Sequence, residues 1–272
     1  MKLGVSLTLA DGALADGGSA LVEGARKAER IGFDGLWFFD TIGRARALPD
    51  PLIAMSVSAA VTEKIQLGTC IYQVPLRHPV ELAHRMMTVM MMAGDRLIFG
   101  VGAGSTKTDF AAVGEDYDGR FKKLRAALPL MRRLWAGETV DGTNLKPWPQ
   151  VQKGPAILIG SWAGGIWIPR AAKEFDGWIA SAHYTDIKTM GEGIERFRGE
   201  GGTRAIAANI KIDLTKPTTS LEGQQGFHLE CAPDEAKARL QQIAELGFEQ
   251  AVLVVNDTGE ENLAAIRELW RG

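Results

Sequence analysis

The side chains able to shuttle protons, hold metals or attack as nucleophiles are few and scattered in this chain. Four histidines occur among 272 residues. None stands in an HExxH pattern or in a cluster of histidines and carboxylates at metal-ligand spacing, so no metal site is expected. No GxSxG elbow presents a nucleophilic serine. The run Gly100-Val101-Gly102-Ala103-Gly104 precedes no Lys-Ser or Lys-Thr pair, so it is not a phosphate-binding P-loop. His183 is the histidine best placed for proton transfer, although a surface role suits it equally. Asp40 can cap a following helix or touch a ligand. Cys70 reads as a small buried hydrophobe, because no neighbour would lower its pKa. A site this poor in titratable groups suits an enzyme whose cofactor carries the chemistry while the protein holds and orients it.

These residues take their meaning from the elements that carry them. Strand-like runs fall at Leu3–Leu9, Phe33–Phe39, Ile65–Tyr72, Arg96–Gly102, Ala156–Gly160, Trp178–Ala180, Ala205–Leu214 and Gln250–Val255. Helical periodicity fills the gaps, at about Ser19–Arg30, Pro51–Val61, Pro79–Gly94, Gly119–Trp135, Gly165–Phe175, Asp186–Gly199, Pro233–Leu246 and Gly259–Trp270. Residues 136–154 show no periodicity and read as an irregular insertion, and Lys216–Phe227 reads as a polar loop. Eight strands alternating with eight helices leave a closed barrel or an open doubly wound sheet. The first strand is followed by Ala10-Asp11-Gly12 and not by a GxGxxG turn. The phrase Gly247-Phe248-Glu249 before the last strand echoes Gly32-Phe33-Asp34 before the second. Both points favour a single (β/α)8 barrel, the TIM-barrel fold, over residues 1–272. In that fold the active site lies at the C-terminal strand ends.

Composition narrows the setting. The 31 basic and 33 acidic residues give a formal charge of −2, which is no footprint for nucleic acid. Two cysteines far apart argue against a disulfide framework and for a reducing cytoplasm. No apolar run reaches the length of a membrane span, and the N-terminus lacks the pattern of a signal peptide.

The stretches Leu67-Gly68-Thr69-Cys70-Ile71, Leu76-Arg77-His78-Pro79 and Gly94-Asp95-Arg96, followed by Gly100–Gly104, occur in that order. Together with Trp37 and Asp40 on the second strand, Gly160-Ser161, and Asp176-Gly177, they resemble the luciferase-like monooxygenase family. The resemblance implies a flavin-type cofactor: coenzyme F-420 (8-hydroxy-5-deazaflavin) or, alternatively, FMN. It implies that Thr69, Cys70 and Ile71 face the ring across a bulge whose Cys70–Ile71 peptide bond is cis. It places Asp40 and Thr41 at the ring edge or substrate, and Gly102, Ala103 and Gly104 in the loop under the ring. Gly160, Ser161, Trp162, Gly164 and Gly165 would form a turn that opens a helix and binds the cofactor phosphate. Thr41 stands where several deazaflavin members have histidine, so Asp40, Thr41, His183 or a water is left to assist a proton step. Three functions follow: hydride transfer between the deazaflavin and a small organic substrate, oxygen-using FMN monooxygenation fed by a reductase, and a non-catalytic flavin-binding barrel. A homodimer is expected.

Overall fold

A strand buried on both faces reads as a nearly continuous apolar run, and Leu97–Gly102 is buried at all six positions. The computed structural model describes residues 1–8, 18–42, 44, 48–224 and 226–270. In chain order these form β1 (Lys2–Leu7), α1 (Gly18–Ile31), β2 (Gly35–Phe38), α2 (Pro51–Val61), β3 (Gln66–Thr69), β4 (Tyr72–Gln73), α3 (Pro79–Ala93) and β5 (Leu97–Gly102). They continue with α4 (Lys107–Val113), α5 (Arg120–Trp135), β6 (Ala156–Gly160), α6 (Ile168–Glu174), β7 (Gly177–Ser181), α7 (Ile187–Gly199) and β8 (Ala205–Asp213). The last elements are β9 (Leu229–Glu230), α8 (Pro233–Glu245), β10 (Gln250–Val255) and α9 (Glu260–Glu268). All pairings between these strands are parallel, and β10 pairs with both β1 and β8, which closes the sheet into a barrel.

Several boundaries differ from the periodicity. The expected third strand is two pieces, β3 and β4, interrupted at Cys70 and Ile71. The short helix α4 and the two-residue strand β9 carry too few residues to show a period. Helix α6 begins at Ile168 and not at Gly165. Segment 136–154 holds one antiparallel bridge, Val140 to Thr143, and one 3-10 turn, Pro149–Val151. The expected strand end at Leu9 and the Ala10-Asp11-Gly12 turn lie outside the described residues.

Two cores follow from the closed sheet. The larger lies between sheet and helices. The smaller fills the barrel with Trp37, Cys70, Ile98, Leu158, Ile179, Ile206, Ala208 and Val252. Trp37 dictates its surroundings: a Cβ at Gly4, Gly35 or Gly68 would stand 2.6, 2.6 or 2.5 Å from the indole. Three strands therefore present bare backbone to one large ring.

On the outside, the Glu29 carboxylate near the end of α1 accepts N–H bonds from Glu63, Lys64 and Ile65, at 2.9, 2.6 and 2.9 Å. Burial pushes its pKa up, but these three bonds and Arg96 together hold it below the ordinary value. A carboxyl lowered by folding stabilises above its unfolded pKa, and that contribution is lost as pH falls through the folded value. Glu29→Gln is expected to cost about 1 kcal/mol at pH 7, discounted for partial solvent exposure. Urea denaturation should show the difference from wild type closing toward pH 3. A gap that persists there would mean that charge is not its origin.

Candidate active site

The C-terminal strand ends converge on one face of the barrel. Its floor is Ile71. The Cys70–Ile71 peptide bond is cis, and the Ile71 side chain lies against bare backbone on two neighbouring strands. A Cβ at Gly102 would come within 2.8 Å of Ile71 Cδ1, and one at Gly160 within 2.4 Å of Cγ2. Thr69 is fully buried and donates its hydroxyl to the Gly100 carbonyl at 2.7 Å. Cys70 is buried in the barrel core, and burial drives its thiol pKa upward, as suits an inert packing residue.

Asp40 and Thr41 follow β2. Asp40 is buried, and its carboxylate is gripped on both oxygens by the Arg77 guanidinium, with one contact at 2.8 Å. It also accepts the Gln73 N–H at 2.8 Å. Burial pushes its carboxyl up in pKa, while Arg77 and the Gln73 N–H pull it back. Gln73 Nε2 donates to the Asp40 carbonyl at 2.8 Å and to buried Asp109 at 2.7 Å, and Asp109 is forked in turn by Arg44. Thr41 Oγ1 is buried and has no hydrogen-bond partner among the described residues.

The run after β5 divides. Gly102 lines the barrel against Ile71, whereas Ala103 packs into the outer core. Gly104 lies beside the Gln73 side chain, and its carbonyl accepts from Arg120 at 3.1 Å. The β6 loop also divides. Gly160 belongs to the floor, while the Ser161 carbonyl accepts from the Trp178 indole at 3.1 Å. The Gly165 N–H closes a turn onto the Trp162 carbonyl at 2.7 Å, and Gly164 has open space around its Cα. The expected helix start at Gly165 is thus corrected: α6 is seven residues long and Trp167 caps it. A helix that short has little dipole to offer a phosphate. Trp162, Tyr184 and His183 form an exposed aromatic cluster on the rim, with Trp162–Tyr184 centroids 5.8 Å apart and His183–Tyr184 4.1 Å apart.

The opposite wall falls at strand ends that the barrel rule nominates, Ser181 to His183 and Lys211 to Asp213, but apart from His183 the sequence gives its residues no role. In β8, Ile206 and Ala208 belong to the inner core but Ile210 and Ile212 to the outer. The face switches at Asn209, which has φ +62°, where the pairing register with β10 also shifts. Such a bulge re-aims the side chains beyond it, so Lys211 faces the mouth. Asn209 Nδ2 donates to Ser181 Oγ at 2.8 Å. The sequence carries no signal of the switch: plain alternation puts Ile206, Ala208, Ile210 and Ile212 on one face and Lys211 on the other.

Among the described residues no helix is long and apolar enough to cross a membrane, and no cluster of His, Cys, Asp and Glu could hold a metal ion. Residues 1–269 match the family described as luciferase-like monooxygenase. An F420-dependent glucose-6-phosphate dehydrogenase of Amycolatopsis mediterranei is 31% identical over 132 residues, covering 44% of this chain and 39% of that protein. Limonene 1,2-monooxygenase of Rhodococcus erythropolis is 31% identical over 113 residues, covering 41% and 29%. The chain thus spans well under half the length of these two curated relatives. The crystal structure of monooxygenase RslO1 from Streptomyces bottropensis superposes with a TM-score of 0.81 at 19% identity, covering 99% and 97%. That likeness speaks for the fold.

Proposed function

Because the chain belongs to the luciferase-like monooxygenase family, matched over residues 1–269, we propose that it is an oxidoreductase moving a hydride between a deazaflavin coenzyme and a small organic substrate. One observation carries the reading. The barrel mouth has an apolar floor, Ile71 over Gly102 and Gly160, facing a polar wall of Ser181, Asn209 and Lys211. A flat ring seated on the floor, with a polar substrate between it and the wall, needs that pairing of surfaces. The Thr41 hydroxyl, buried without a partner among the described residues, fits such a group too.

In this reading Ile71 supports one face of the ring, and the Thr41 hydroxyl meets its edge. Asp40 acts at one remove: with both oxygens on Arg77, it fixes the β2 end that carries Thr41. The loop from Gly160 to Gly165, with Ser161 and Trp162, borders the cofactor, and His183 stands at the rim for proton exchange with solvent. When bound, the deazaflavin supplies two-electron hydride chemistry, and the protein orients substrate against it and keeps water out.

A second reading, an FMN-dependent monooxygenase fed by a reductase, is supported by the 31% identity to limonene 1,2-monooxygenase. Fluorescence titration with the deazaflavin and with FMN, each oxidised and reduced, separates the two. The deazaflavin is expected to bind at least about tenfold tighter, or about 1.4 kcal/mol. Preference for reduced FMN selects the second reading, and binding of neither overturns both.

A further inference from the structure

Strand β8 bends at a residue that is neither glycine nor proline. Asn209 adopts φ +62°, a left-handed conformation that side-chain-bearing residues rarely take, although asparagine tolerates it best. Its side chain is tied to Ser181. The result is to carry Lys211 from the outer face to the inner wall, since Ile210 and Ile212 on either side of it belong to the outer core. A lysine meant only for the outer surface would need no such device.

Strand β9 extends the same wall. Leu229 pairs with Ile212 and both pack outward, so alternation places His228 and Glu230 on the inner face with Lys211 and Asp213. Neither carboxylate on this face forms an ion pair with Lys211 among the described residues. Asp213 accepts the N–H and hydroxyl of Thr215 at 3.0 and 2.6 Å, and Glu230 lies 3.9 Å from His228 Nδ1. Lys211 forms no ion pair among the described residues, whereas Arg44, Arg77 and Arg239 each hold a carboxylate. Ser181 Oγ receives the Asn209 amide and, at 3.4 Å, the His183 N–H, which leaves its own proton free to donate.

We infer that Lys211 anchors an anion subsite on the inner wall of the barrel mouth, with the Ser181 hydroxyl as a further donor, and that it takes a carboxylate or phosphate oxygen of the small-molecule substrate. This rests on the reading of the mouth as a ligand site. The ammonium supplies a point charge for the anion, and the hydroxyl adds direction.

His228 reports on the subsite without turnover. Its pKa is lowered by burial and by Arg239 and Lys211, against the opposing pull of Glu230. The test follows the His228 ring protons by NMR in the whole chain, over a pH series, with inorganic phosphate added at constant ionic strength. Phosphate is expected to shift the resonance and raise the His228 pKa. In Lys211→Met the pKa starts higher and phosphate binds at least about tenfold more weakly, whereas Lys211→Arg keeps the response. The response should persist with deazaflavin or FMN at saturation. No response in wild type, or an equal one in Lys211→Met, overturns the subsite. A response that vanishes once cofactor is bound assigns the anionic group to the cofactor and overturns the substrate assignment. If neither cofactor binds, the proposed function fails while the cofactor-free titration still decides the subsite.

Discussion

Alanine at Gly100 will destabilise the barrel by about 3 kcal/mol or more, whereas alanine at Gly164 will change stability by no more than about 0.5 kcal/mol. Gly100 lies inside β5 and Gly164 in the loop after β6, and their surroundings differ completely. A Cβ at Gly100 would stand 1.9 Å from the Thr69 carbonyl oxygen and 2.5 Å from Ile179 Cδ1. The isoleucine can turn aside, but the carbonyl cannot: it is backbone at the end of β3, next to the Cys70–Ile71 interruption. Relief requires β3 and β5 to part, and these strands are linked by the Thr69 hydroxyl bond to the Gly100 carbonyl. At Gly164 nothing lies within 4 Å of the added carbon. Urea denaturation followed by circular dichroism gives both values, and the Gly100 variant should melt roughly 6–10 °C lower. A cost below about 1 kcal/mol would mean that the strands separate easily and that the floor beneath Ile71 is not rigid.

Much of this architecture is written in local pattern. The eight barrel strands and their helices follow from apolar runs, helical periodicity and the glycines that end them. What periodicity could not show was short or broken. Ile65–Tyr72 reads as one strand because apolar residues run through it, and composition alone does not mark the interruption at Cys70 and Ile71, which only the family resemblance points to. Two residues, Leu229 and Glu230, are too few to show alternation, so β9 merges into the preceding polar loop. In β8 the apolar residues are Ala205 to Ala208, Ile210 and Ile212, and a strand of that content fits either face until the bulge is seen.

The candidate site was legible in position more than in role. Motif order brought Thr69, Cys70, Ile71, Gly102 and Gly160 to one place because they sit on adjacent strands. It could not tell that Gly100 to Gly104 serve three different neighbours: strand contact at Gly100, the Ile71 floor at Gly102, and Gln73 at Gly104. Asp40 stood out as a strand-end carboxylate, but its partner Arg77 is 37 residues away and the linking Gln73 has no signature of its own. Lys211 falls among the strand-end positions but carries no role in the sequence, for a similar reason. Its placement is decided by one backbone angle at Asn209, which no side-chain pattern records.

Removing the partner of Asp40 supplies the second large effect. Arg77→Met leaves a carboxylate with 1% side-chain exposure without its cation, and loss of one member of a buried pair costs about 3–5 kcal/mol. Part of that penalty is desolvation of the abandoned charge. The double variant Arg77→Met with Asp40→Leu should therefore be more stable than Arg77→Met alone, giving a coupling of about 2–3 kcal/mol in a double-mutant cycle. The pH dependence distinguishes this origin from lost packing of the long arginine chain. Burial already pushes the Asp40 carboxyl upward, and Arg77 is its main restraint. Without the guanidinium the folded pKa rises further above the unfolded one, so the folded state of Arg77→Met binds a proton that the unfolded state does not. Its stability then improves, relative to wild type, as pH falls through that raised value. A deficit independent of pH, or a double variant no better than the single, would show that the pair contributes through shape. Ligand binding should follow the same order. Gln73 joins Asp40 to the Asp109–Arg44 pair, so a disturbed Asp40 moves the β2 end carrying Thr41. Cofactor affinity should then fall in Arg77→Met even under conditions where the variant is fully folded.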